Sequence, residues 1–276
     1  MIFETHTLQD PFKRLIESIF YFKGFQPDHS IERVVPTGHV FLIFELDGQT
    51  RNTFDNQTLI VNGSFNGAWL SGMHKNYLSI SAHQDSEMLV VQFKPGGAYP
   101  FLHLEMSQFN DKVIPANQLF GDDVLSLREQ LLLQEEASDK FSQVDQWLER
   151  KLQHSSLIPE ELRKIVDQLY ADSLDKHGKI VQSYSKTQKH LIHQFKKYIG
   201  LTPKVLHRVI RFNEVLQKIK AEEKLEWSQI AYQFEYADQS HFIKEFNEFS
   251  GFNPSEYINL DYHKEQPNFF PLDRNG

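Results

Sequence analysis

The chain contains no cysteine. That excludes disulfides, thiolate zinc sites and any cysteine nucleophile. It has no apolar run approaching the roughly 18 residues that a membrane-spanning helix needs. Its start, MIFETHTLQDPFKRL, lacks the basic-then-apolar order of a secretory signal. A cytoplasmic protein is therefore expected. No His-x-His pair with a later carboxylate occurs, since His39, His74, His83 and His103 stand singly, so no cupin-type metal site is expected. Gly-x-Ser-x-Gly, Walker and dinucleotide-binding motifs are also missing. The chain is expected to hold no metal or cofactor and to be no enzyme.

Positive charge is short overall, with 29 Lys+Arg against 37 Asp+Glu and a net charge of −8. That balance argues against a general nucleic-acid coat protein. The distribution says more than the sum. Residues 1–177 carry a net −10 and residues 221–260 a net −6, but residues 178–220 hold 10 basic residues against one acid, Glu214. A +9 stretch inside an acidic protein is the footprint of a phosphate-facing surface; a solvated lysine-rich face has the same composition.

The first hundred residues read as β structure. Arg33–Gln49 is dense in β-branched and aromatic residues and closes on Asp47-Gly48, a hairpin signal. Thr58–Phe65, Tyr77–His83 and Glu87–Gly97 follow at short spacing, which predicts a small antiparallel barrel or sandwich. From Asp122 the period changes. DDVLSLREQLLLQ, DKFSQVDQWLERKL and PEELRKIVDQLYADSL place apolar residues three and four apart and predict amphipathic helices. The fold class expected is α+β, with a β-rich then helical part at 1–156, an all-α part at 157–260 and a loosely ordered tail at 261–276.

The all-α part repeats itself. HLIHQFKKYIGLTP, from His190, recurs 51 residues later as HFIKEFNEFSGFNP, from His241. His, Ile, Phe, Gly and Pro coincide without a gap, as in an internal duplication. Leu191, Phe195 and Tyr198 step by four and three, and Phe242, Phe246 and Phe249 do the same, so each copy is a helix with one apolar stripe. Gly200 and Gly251 sit where a helix ends in left-handed backbone, and Pro203 and Pro254 where the next one starts. Between the copies, Val205, Val209, Phe212, Leu216 and Ile219 mark one continuous helix of about 16 residues, roughly 24 Å long. Two like helices on a stiff spacer suit successive major grooves of DNA, about 34 Å apart.

The stretch IAYQFEYADQSHFIKEFNEFSGFNPSEY resembles the signature of the AraC/XylS family of bacterial transcription regulators, whose DNA-binding part is two helix-turn-helix units joined by a linker helix. Residues 159–258 follow that layout. The matching positions are Ile230, Ala231, Tyr236, Asp238, Ser240, Phe242, Phe246, Gly251, Pro254 and Tyr257. Two departures stand out. The family's turn glycine is Glu235 here, and HGKIVQSYSKTQKHL leaves only about seven residues for the first scaffold helix, which is expected to be short. The resemblance puts Gln188, Lys189, Ile192 and His193 of the first unit, and Gln239, Ser240 and Lys244 of the second, on the outward face. Apart from Ile192, which suits a thymine methyl, these can hydrogen-bond base edges. His190 and His241 lie beside the buried stripe. Asp238 is expected to cap the second helix. Lys186, Lys196, Lys197, Lys204, Arg208 and Arg211 are candidate phosphate contacts.

Leu70–Gly121, with its Gln-Phe-Lys-Pro-Gly-Gly core at 92–97 and Leu-Phe-Gly at 119–121, is similar to the sensor domains of one branch of that family. It implies a barrel that binds a small effector or mediates dimerisation. Tyr77, Phe93, Tyr99 and Phe101 are the candidate pocket residues. Double-stranded DNA is then the main partner; RNA polymerase, a small-molecule effector and a second copy of the chain stay open, and no membrane is involved. The alternative is a barrel enzyme or small-molecule-binding protein with a helical interaction module.

Overall fold

In a computed structural model, residues 1–171, 177–221, 225–259 and 268–273 are described. The strands are β1 (Ile2–Thr5), β2 (Ile16–Phe25), β3 (Ile31–Val34), β4 (Val40–Glu45), β5 (Arg51–Phe54), β6 (Val61–Phe65), β7 (Ala68–Ser71), β8 (Leu78–Ser81), β9 (Ser86–Phe93), β10 (Val113–Pro115) and β11 (Phe269–Pro271). They do not close into a barrel. Among the described residues they form a six-stranded sheet, β1-β2-β9-β4-β7-β10, and a five-stranded sheet, β11-β3-β8-β5-β6. All pairings are antiparallel.

Strand β4, VFLIFE, is almost wholly buried, so both of its faces must be covered. Ile43 packs with Trp69, Ile80 and Val90 between the sheets. Leu42 and Phe44 face the other way, into the main core. Asp47-Gly48 makes no hairpin. β4 belongs to one sheet and β5 to the other, and the turn carries the chain across. Asp47 fixes this arch by accepting from Arg51 Nη2 at 2.5 Å and from the Glu87 backbone N–H at 3.2 Å.

The helices are α1 (Phe12–Leu15), α2 (Tyr99–Leu102), α3 (Asn117–Phe120), α4 (Asp123–Leu132), α5 (Ala137–Lys151), α6 (Glu160–Ala171), α7 (His177–Gln182), α8 (Gln188–Tyr198), α9 (Pro203–Ala221), α10 (Trp227–Gln233), α11 (Gln239–Ser250) and α12 (Pro254–Asn259). The main core starts under β4 and β9 and runs through Trp147 of α5 and Ile165 of α6 to Phe195 of α8. A separate core gathers Phe212 and Leu216 of α9 with Phe242, Phe246 and Phe249 of α11. The first repeat copy thus shares the main core of the β-rich half, and the second packs a separate core that takes in Val35 and Phe270 beside the β3–β11 pair. No described helix is long and apolar enough to cross a membrane.

The tail differs from expectation. β11 pairs with β3 through Phe269–Val34, Phe270–Arg33 and Pro271–Glu32, and Phe270 is fully buried. An aromatic pair bounded by prolines gave no periodicity to read. Residues 260–267 and 274–276 of that tail lie outside the described residues.

Candidate nucleic-acid interface and effector cavity

Helices α8 and α11 are built alike. Thr187 caps α8 by accepting from the His190 backbone N–H at 3.2 Å, and Asp238 caps α11 by accepting from the His241 N–H at 2.7 Å. Each cap satisfies a backbone donor that the helix leaves open. Thr187 escapes a search for identical residues, but it lies 51 positions before Asp238, so the repeat offset would have found it. Phe195 and Phe246, both fully buried, anchor their helices in separate cores. Gly200 and Gly251 end them at φ +107 and +72. Tyr184 meets His190 Nδ1 at 2.7 Å, and His241 packs against Tyr236.

Opposite each buried stripe runs an exposed one. Lys189, His193 and Lys196 are exposed on α8, at steps of four and three. The repeat places Ser240, Lys244 and Asn247 at the same positions on α11, and they are exposed too. Gln188 and Gln239 are exposed at the first turns, and Ile192 is half-buried. The spacer α9 has 19 residues, about 28 Å at 1.5 Å per residue. The scaffold helices are short. α7 has six residues and α10 seven.

Glu235 stands in the α10–α11 turn at φ +54, exposed. Left-handed backbone costs a side chain that glycine avoids. Glu235→Gly is expected to raise stability by about 1 kcal/mol, read as a shift in the urea midpoint.

The predicted phosphate contacts divide. Lys186, Lys196 and Lys204 are exposed. Lys197 lies over the rings of Tyr99 and Tyr198, at 5.8 and 5.0 Å. Arg208 and Arg211 are not free for phosphate. Arg208 Nε and Arg211 Nη2 each donate to Glu245 at 2.7 Å, and Arg208 Nη2 donates to Glu248 at 2.7 Å. Burial would raise the Glu245 carboxyl, but Arg211 and Arg208 hold it below the usual range. The two arginines clamp α9 to α11. Their helix positions alone could not reveal partners 34 to 40 residues away.

A cavity of about 460 Å³ lies between the two sheets. Phe20, Phe22, Phe41, Trp69, Ile80 and Val90 give it apolar walls. None of the predicted pocket residues lines it. Phe93 and Phe101 stack at 5.4 Å in the main core, Tyr99 packs on Tyr198 at 4.5 Å, and Tyr77 lies under the Arg33 guanidinium at 4.1 Å. They sit on the opposite face of the six-stranded sheet or at the contact with the second repeat copy. The signal that was missed is the alternation of Phe20 with Phe22 and of Phe41 with Ile43 on strands apolar on both faces.

Polar side chains are the minority in the cavity wall. His39 Nδ1 bonds the Phe93 carbonyl at 3.1 Å, and His74 Nε2 bonds Ser71 Oγ at 2.9 Å. Burial lowers the pKa of both, that of His74 to about 4, so both are neutral near pH 7. Arg51 is the one Lys or Arg among the lining residues, and it contacts Glu45 at 3.3 Å and Asp47 at 2.5 Å. Glu45 also accepts from Trp69 Nε1 at 2.9 Å, and burial raises its carboxyl to about 7.

Comparison with known proteins treats the two halves separately. Residues 6–115 match a family described as a domain of unknown function (DUF6597). Residues 180–259 match a family described as a helix-turn-helix domain. No curated protein matches the chain. Three solved structures of ToxT from Vibrio cholerae are similar. An apo form with one lysine replaced by alanine is 14% identical with a TM-score of 0.46, over 87% of this chain and 97% of that one. A second crystal form is 16% identical with a TM-score of 0.43, over 93% and 98%. A form with an unsaturated fatty acid bound is 15% identical with a TM-score of 0.45, over 88% and 95%.

Proposed function

We infer that this chain, whose residues 180–259 match a helix-turn-helix domain, is a sequence-specific DNA-binding transcription regulator of the AraC type. Its N-terminal half is read as the seat of a small-molecule effector, held in the cavity between the sheets. The observation that carries the reading is the pair of exposed polar stripes at one offset, Lys189-His193-Lys196 and Ser240-Lys244-Asn247, on helices capped at the same repeat position and anchored by the same buried phenylalanine.

Gln188, Lys189, His193, Gln239, Ser240 and Lys244 are the proposed base readers. Lysine suits guanine and glutamine suits adenine. Lys186, Lys196 and Lys204 are the proposed phosphate contacts, with Lys197 a secondary one. Arg208 and Arg211 are left out, because Glu245 and Glu248 already hold them. A spacer of about 28 Å sets two recognition helices in one chain near the repeat of the groove, about 34 Å. One copy of the chain is therefore enough for the reading.

The test is fluorescence anisotropy with mixed genomic DNA across a salt series. Affinity is expected to fall steeply with salt, and Lys196→Ala, at a proposed phosphate contact on α8, to lower the log–log slope by about 1. Lys244→Ala is expected to weaken the selected site more than bulk DNA. If neither variant changes affinity or slope, these helices do not face DNA.

A further inference from the structure

We propose that the cavity takes an uncharged, mostly apolar ligand, and that strand β11 carries its presence to the second helix-turn-helix unit. The proposal rests on the reading of the cavity as an effector site.

The ligand class follows from the charges in the wall. The Arg51 guanidinium, the one Lys or Arg side chain among the described lining residues, already has Asp47 and Glu45 beside its Nη2 and Nε, so its charge is opposed before any anion enters, although its Nη1 makes no hydrogen bond. The buried histidines His39 and His74 bond protein oxygens. The rest of the wall is mainly aromatic and aliphatic. An isolated charge moved into such a space pays its full desolvation cost, whereas an apolar molecule gains with the area it buries.

The coupling follows from strand alternation. In the β3–β11 pair, side chains point by turns to opposite faces. Glu32, Val34 and Phe269 line the cavity. Arg33 and Phe270 face the other way, toward the second unit. Phe270 packs against Tyr257 and Phe252, with ring centroids at 4.9 and 5.9 Å. Arg33 donates to the Ser250 carbonyl at 3.1 Å, at the end of α11, and lies over Phe252 at 4.4 Å. A Cβ on Gly251 would come within 2.7 Å of the Tyr77 ring, so the end of α11 seats directly on this layer. The same ribbon is thus cavity wall on one side and core of the second unit on the other.

Strand β11 is also the edge strand of its sheet, paired on one side only, and Phe269 is 39% exposed. It is tied at both ends. Asn268 Nδ2 donates to Asn213 Oδ1 of α9 at 2.8 Å, and Asp273 Oδ1 accepts from the Ile31 backbone N–H at 2.8 Å. A ligand against Phe269 and Val34 supports this edge, holds Phe270 in its seat and steadies α11. A ligand shifts the equilibrium only by what it contacts differently in the two states, and Phe269 is that contact.

The experiment uses the full chain without DNA, with neutral N-phenylnaphthylamine and anionic anilinonaphthalene sulfonate as probes. Probe fluorescence reads binding, and hydrogen exchange reads the amides of α11. In the parent protein the neutral probe is expected to bind more tightly than the anionic one and to slow exchange in α11 about tenfold. Phe270→Ala is expected to bind the neutral probe with affinity changed by less than about threefold, since its ring faces away from the cavity, while α11 stops responding. If circular dichroism shows that this variant is unfolded, Asp273→Ala, which frees the far end of the strand, takes its place and is expected to lose most of the response. A full response in the folded variant, equal binding of both probes, or no probe binding overturns the proposal. Because no DNA is present, a protein that passes here and fails the anisotropy series sinks the regulator reading alone.

Discussion

Glu245→Ala is expected to lower the unfolding free energy by about 3–5 kcal/mol. Glu245 is 2% exposed, and its carboxylate is the shared acceptor for Arg208 and Arg211 at 2.7 Å each. Removing it strands the Arg211 guanidinium and leaves Arg208 with Glu248 alone. The Arg211 side chain is only 11% exposed and lies 4.1 Å over the Tyr236 ring, so water replaces the lost partner poorly. A buried pair broken on one side costs far more than the pair contributes intact. Glu248→Ala is the contrast. That carboxylate is 43% exposed, and its loss should cost about 1 kcal/mol or less. Denaturant unfolding followed by circular dichroism reads both values.

The same site sets an acid limit. The arginines hold the Glu245 carboxyl below its ordinary 4.5. A carboxyl lowered in the folded state stabilises above its unfolded pKa, and that contribution is lost as pH falls through the folded one. The parent protein should therefore lose stability below about pH 4.5 more steeply than Glu245→Gln, which has no proton to take up there. Equal acid slopes would show that the clamp leaves the carboxyl unperturbed.

The clamp also explains what could be read from the sequence. The repeat was legible because both copies need the same things at the same offset: a buried aromatic anchor, a left-handed glycine and a proline to open the next helix. Asp238 was legible from the signature stretch and from its capping chemistry. Arg208 and Arg211 were not. A helix pattern shows that a side chain points outward, but not whether a carboxylate from another helix waits there. The charge sum of +9 over residues 178–220 counted both as available, and in the structure Glu245 and Glu248 of the acidic stretch claim them. Strand faces failed in a related way. Phe93 and Phe41 lie on neighbouring strands and are equally aromatic. Phe93 belongs to the core beneath the helices, and Phe41 to the space between the sheets. Alternation separates the two faces of a strand, but it cannot say which face meets helices when both are apolar.

The arginine clamp leaves most of the exposed positive charge on the first unit, and on the proposed reading this leads to the largest expected functional effect. With Arg208 and Arg211 engaged, the exposed cations around α8 are Lys186, Lys189 and Lys196. α11 offers Lys244 alone, with exposed Glu248 on the same helix and Glu235 and Asp238 just before it. Each phosphate contact releases counterions and contributes about 0.9 to the slope of log affinity against log salt. Replacing the proposed phosphate contacts Lys186, Lys196 and Lys204 together by alanine should flatten that slope by close to 3 and weaken binding about two to three orders of magnitude near 0.1 M salt. Stability should change by less than about 0.5 kcal/mol per site, because all three side chains are solvated. Binding to a selected site and to bulk DNA should fall in nearly equal proportion for Lys186 and Lys196, since phosphate contacts carry no sequence information. The discriminating comparison is Lys244→Ala, which should barely alter the slope beyond one contact yet narrow the gap between selected and bulk DNA. A triple variant that keeps the parent slope would mean that the cationic stretch is a solvated face and that affinity comes from elsewhere on the chain.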